Sequence, residues 1–203
     1  MSVSPRHLDL LLSRLFHDLI GPVSAARNGL ELVTEFGADD VGAEAMELVS
    51  GSVDQVAARL TFFRMAFGGA GSGAGLGYQD ARPVLEDYLR HRKLVPHVSV
   101  ADGLERPKAG VIKVMLGLAA VAAESLPRGG SVSVAATAGE IRIAAEGTDA
   151  ALPVKSLQAL SGELAPDDEV TVLPATVGMS ATRFAVTYAV ASVAPPEFII
   201  SLP

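Results

Sequence analysis

Cysteine is absent from the 203 residues, which excludes disulfides and thiolate metal sites. Apolar residues make up 49% of the chain, yet they are nowhere gathered into a long uninterrupted run. A membrane span needs about 18 uncharged apolar residues in succession, so none is expected. The opening Met1-Ser2-Val3-Ser4-Pro5-Arg6-His7 lacks the basic-then-apolar layout and cleavage site of a secretory leader, and a cytoplasmic address is expected. Positive charge is also short, with 16 Lys and Arg against 23 Asp and Glu and a net charge of −7. Phosphate backbones need a basic face, so nucleic acid is excluded as the main partner.

Glycine, by contrast, is concentrated. Gly68-Gly69-Ala70-Gly71-Ser72-Gly73-Ala74-Gly75-Leu76-Gly77 cannot hold a helix and reads as a flexible linker. Without Lys-Ser/Thr, and without a strand-to-helix setting, it is not a phosphate-binding loop. It divides the chain into a first module, 1–68, a linker, 69–77, and a second module, 78–203. The first module is helical. Leu8, Leu12, Leu15, Leu19, Val23, Ala26, Leu30 and Val33 share one helix face, and Gly37 supplies a stop. Asp39-Asp40 caps the next helix, where Met46, Val49, Val53, Val56, Leu60, Phe63 and Phe67 form a heptad seam. Two helices cannot cover two such stripes, so two chains are expected to build a dimeric four-helix bundle. The second module mixes periods. Strands are expected at 95–101, 131–136, 140–145 and 197–202, with helices at 81–91, 111–126 and 179–190. The fold class is therefore α+β: a helical hairpin followed by an α/β sandwich with helices on one face of one sheet.

The chemistry concentrates in Phe16-His17-Asp18-Leu19-Ile20-Gly21-Pro22-Val23. His17 lies about 180° from the leucine stripe, on the outer face of the bundle. Ser13, Gly21 and Ser24 are its small neighbours on that face, with Arg14 beside them, and they leave room for a protein to approach. Pro22 has no N–H, so the Asp18 carbonyl loses its helix partner and the helix is expected to bend there. The Asp18 carboxylate beside the imidazole can orient and polarise it, which suits a nucleophile toward phosphorus. On the second helix, Ala58, Phe62 and Met65 lie outside the seam as an apolar patch, either for packing within the dimer or for a partner to rest on beside His17. His7, His91 and His97 have no ligand spacing for zinc and read as surface residues; Arg90-His91-Arg92-Lys93 reads as a solvated helix end.

His17, Asp18, Leu19 and Pro22 match the His-Asp/Glu-Leu-x-x-Pro box of sensor histidine kinases. Over nearly its full length the chain resembles the ChpT family of alphaproteobacterial histidine phosphotransferases, which join such a hairpin to a degenerate domain of the histidine kinase (GHKL) ATPase fold. The resemblance implies a phosphorelay. A phosphoryl group passes from the receiver aspartate of a CckA-like hybrid kinase through His17 to receivers of CtrA- and CpdR-like response regulators. It also implies that Mg²⁺ comes with the receivers and that this chain binds no cofactor. Set against active kinases, Gly117 and Val121 stand where metal-holding asparagines belong, and the second module has no asparagine. Ala145 replaces the adenine-reading aspartate in Ala145-Glu146-Gly147, and Gly178 alone replaces the glycine-rich lid. ATP binding is therefore not expected. The alternatives are a non-catalytic scaffold or kinase inhibitor, in which His17 is dispensable, and an active histidine kinase, which would label itself from ATP.

Overall fold

The first helix starts where capping chemistry says it should. The Ser4 hydroxyl accepts a hydrogen bond from the His7 amide at 3.1 Å, and Pro5 takes a first-turn position that needs no N–H donor. The computed structural model describes residues 4–37, 40–69, 76–104 and 106–203. Asp39, the side chain of Asp40 and residues 70–75 of the expected linker lie outside the described residues.

Helix α1 (Pro5–Phe36) ends at Gly37, whose φ of +72° suits glycine. Helix α2 (Asp40–Ala66) returns along it. The two backbones approach closely at Gly29, where a Cβ would stand 2.7 Å from Val49 Cγ2. Leu8, Leu12, Val23 and Leu30 of the first stripe stay exposed, as do Met46, Val53 and Leu60 of the heptad seam. One hairpin thus leaves both apolar stripes partly bare.

The second module contains α3 (Tyr78–His91), β1 (Val95–Val100), α4 (Val111–Glu124), β2 (Ser131–Ala136), β3 (Glu140–Glu146), α5 (Val154–Ser161), α6 (Glu169–Phe184), β4 (Tyr188–Val193) and β5 (Pro196–Ser201). The strands form one sheet in the order β1-β2-β3-β5-β4, with β1 and β2 parallel and the other pairs antiparallel. Each strand alternates. Val132, Val134, Ile141, Ile143, Phe198 and Ile200 point into the core, while Arg142 on the open face pairs with Glu140 and Glu197. Helix α4 is buried on every side, as its uniformly apolar sequence requires, and lies between the sheet and helices α2, α3 and α6. Phe62, Phe63 and Ala66, at the end of α2, join this same core.

The expected helix over 179–190 needs correction: α6 begins ten residues earlier and ends at Phe184, and β4 takes up the last residues of the range from Tyr188. Asp168 caps α6 by accepting from the Val170 and Thr171 amides, and Ala185 in the left-handed region ends it. Tyr188–Val193 then alternates as a strand, while α5 was too short to register as a helical period.

His7 also departs from expectation: it is buried, not on the surface. The Thr176 hydroxyl donates to the Val172 carbonyl, so it accepts from His7 Nε2–H at 2.9 Å, tying α1 to α6. Burial lowers the pKa of this imidazole. The unfolded chain therefore binds the proton more readily. The contribution of neutral His7 to stability is complete above the ordinary imidazole value and fades as pH falls through the lower folded one. Urea midpoints measured from pH 7.5 down to 5 are expected to fall less steeply in His7→Gln than in wild type. Parallel slopes would show that His7 is not the source.

Candidate functional site

The His17 imidazole stands on the outer side of α1 with its side chain 70% exposed, as the helix wheel requires. Its neighbour behaves differently. The Asp18 side chain is only 14% exposed and turns inward. Its Oδ1 lies 3.9 Å from His17 Nδ1, too far for a hydrogen bond, so its reach to the ring is that of a nearby negative charge. Its other oxygen is 3.7 Å from Arg14 Nε.

Arg14 was expected to face a partner, but the structure turns it inward. Its Nη2 donates to Glu124 Oε1 at 2.7 Å, a charge-assisted bond between α1 and the last residue of α4. Burial pushes the Glu124 carboxyl up, while Arg14 and Arg92 pull it back. Arg92, expected at a solvated helix end, likewise packs inward. Burial opposes its charge, but Tyr88, Glu124 and Asp18 more than offset this and raise its pKa. Arg14, Arg92, Glu124 and Ser125 line a cleft of about 240 Å³ together with Pro153, Ser156, Glu169 and Pro174.

Arg59 is the residue that sequence reasoning missed. From α2 its Nη1 donates to the Asp18 carbonyl, the group that Pro22 deprives of its helix partner. The orphaned carbonyl was readable from Pro22; the identity of its new donor was not.

The other expected contacts divide. Ser13 and Gly21 are exposed beside His17; a Cβ on Gly21 would meet nothing within 4 Å. The Ser13 hydroxyl reaches Glu169 at 3.4 Å, which brings the start of α6 close to this face. Ser24, Ala58 and Met65 are half-buried. Pro22 is buried, so its part is played through the backbone and not through a partner's touch. Phe62 is corrected outright: it is 0% exposed and stacks on Tyr88 at 3.8 Å, with the rings 10° from parallel. An apolar residue outside the heptad seam found its cover within the chain.

In the second module, the positions compared with an ATP site are filled by protein. A Cβ on Gly117 would lie 2.6 Å from Val177 Cγ2, so α6 packs directly on α4 there. Val121 and Ala145 are buried in the core. Gly178 sits within α6, where its lack of a side chain admits the Leu160 carbonyl of α5. Val177-Gly178-Met179-Ser180 is thus part of a packed helix. Among the described residues, no group of three or more His, Asp or Glu could hold a metal ion, and no helix is long and apolar enough to cross a membrane.

Comparison with known proteins places these features. A family model described as the histidine phosphotransferase C-terminal domain matches residues 78–193. Protein phosphotransferase ChpT of Brucella abortus (strain 2308) is 36% identical over 166 residues, spanning 79% of this chain and 77% of that one. The 1.7 Å structure of a bacterial phosphotransferase superposes with a TM-score of 0.79 at 29% identity, covering 100% of this chain and 98% of that one. The Acinetobacter baumannii histidine kinase AdeS overlaps less closely, with a TM-score of 0.40 at 15% identity over 92% of this chain and 96% of that one.

Proposed function

The chain belongs to the ChpT family of histidine phosphotransferases, and from that premise we propose that it relays a phosphoryl group between receiver domains on His17, without using ATP. The observation that carries the reading is an exposed imidazole on a helix whose surrounding turn is anchored from inside.

Transfer begins when the unprotonated ring nitrogen of His17 attacks phosphorus of a receiver's aspartyl phosphate. A nitrogen–phosphorus bond forms as the phosphorus–oxygen bond breaks, and the aspartate leaves as a carboxylate. The reverse step hands the group to the aspartate of a second receiver, and the imidazole is regenerated. The transition state is loose, so alignment and charge compensation carry most of the work. Receivers supply Mg²⁺ and a cation of their own, and this chain supplies the nucleophile. Donors of the CckA type and acceptors of the CtrA and CpdR types fit the family. Two copies pair through the bare stripes of α1 and α2 to complete a four-helix bundle. The close packing at Gly117 and Gly178 supports the absence of a nucleotide site.

The test gives the protein two phosphoryl sources. Wild type mixed with a ³²P-labelled hybrid-kinase receiver is expected to become labelled; wild type with labelled ATP and Mg²⁺ alone is not. Labelling from ATP would make it a kinase. Failure with a broad receiver panel would favour a scaffold.

A further inference from the structure

We propose that Arg59 is a positioning residue for phosphoryl transfer: it holds the Asp18 carbonyl that Pro22 orphans, and so fixes the turn of α1 on which His17 stands. The inference rests on the reading of His17 as the phosphoryl carrier.

In an unbroken helix the amide of residue 22 would bond the carbonyl of residue 18, and proline has no amide hydrogen. A half-buried carbonyl left without a donor is costly, and a helix turn missing its bond is free to flex. Here the guanidinium of Arg59 donates to that carbonyl from the neighbouring helix. The arrangement does little for stability alone. Among the described residues Arg59 Nε is buried without a hydrogen-bond partner, and Arg92 and Arg14 act on the guanidinium as like charges. Burial accordingly pulls the pKa of Arg59 down, with Asp18 and Tyr88 opposing the fall. What the arrangement does secure is geometry. The Asp18 backbone is tied to α2 through Arg59, and its carboxylate is tied through Arg14 to Glu124 of α4. The turn bearing His17 is therefore held from two directions while its imidazole stays free. In-line transfer rewards this, because a misplacement of about 1 Å can cost on the order of 100-fold in rate.

The decisive experiment is a double-mutant cycle of Arg59→Met and Pro22→Ala, read as phosphotransfer from a ³²P-labelled CckA-type receiver at varied receiver concentration. Arg59→Met alone is expected to lower the maximal rate by about tenfold or more, with the receiver concentration at half-maximal rate changed by less than about twofold. In the Pro22→Ala background the amide restored at position 22 takes over the Asp18 carbonyl. Adding Arg59→Met there is expected to cost less than about threefold. An unchanged maximal rate in Arg59→Met, a loss confined to receiver affinity, or equal losses in both backgrounds would overturn the role. If Arg59→Met does not fold, the comparison of the double variant with Pro22→Ala decides alone: near-equal rates support positioning, and a drop of about tenfold refutes it. His17→Ala run alongside separates the two readings, since its labelling would count against the relay itself.

Discussion

Alanine at position 17 is expected to abolish labelling from a phosphorylated receiver while leaving the fold intact. The imidazole is 70% exposed and fills no core position, so its loss should change stability by no more than about 0.5 kcal/mol. Chemistry is another matter, because the proposed transfer proceeds through a covalent bond to that ring and nothing nearby can replace it. His7, the other imidazole on α1, is ten residues away, or about 15 Å along the axis, and is buried against Thr176. Asp18 is the adjacent nucleophilic group, but its carboxylate is turned inward toward Arg14. Labelling and thermal unfolding measured on the same preparation give the answer. A variant that still takes up label at the wild-type rate would remove His17 from the mechanism.

Truncating Phe62 is expected to have the largest effect on stability. Phe62→Ala should cost about 3–5 kcal/mol, the range for emptying a fully buried aromatic site. The ring is 0% exposed, stacked on Tyr88 and edge-on to Phe63, with ring centres 3.8 and 6.1 Å away. Tyr88 also accepts a hydrogen bond from Arg92 at 3.2 Å, so the cavity would open beside the charged groups under Asp18. Phe62→Leu retains most of the apolar volume and should lose much less. Urea denaturation distinguishes the cases: a loss below about 1 kcal/mol in Phe62→Ala would place the ring on a surface, as first expected from the helix wheel. The same truncation is expected to slow phosphotransfer, because it loosens the contact between the hairpin and the second module.

These two residues mark the division between what was readable early and what was not. His17 was legible because its signal is local. A histidine opposite an apolar stripe, followed by an aspartate and by a proline five residues on, gives its exposure and the backbone break beside it from helix geometry alone. Helix α1, its Gly37 stop and the alternating strands β1, β2, β3 and β5 were legible for the same reason, as short-range periodicity and capping specify them. Phe62 was misread because α2 carries apolar residues on more than one face. Periodicity says that such a face wants cover, but not whether a second chain or the chain's own core provides it.

The charged groups show the limit most clearly. Arg14 and Arg92 were assigned to open surfaces, and Arg59 drew no attention, yet all three turn inward around Asp18, Tyr88 and Glu124. An arginine head can swing several ångströms about one Cα, so its direction is set by which carboxylate or carbonyl the packing of distant segments brings within reach. Sequence by itself determined the exposed histidine, the helix hydrogen bond that Pro22 removes beside it and the family pattern around them. Only the tertiary structure decided what satisfies that turn, because the Arg59 donor and the Glu124 carboxylate come from helices roughly 40 and 110 residues further along the chain, joined by packing and not by any local rule.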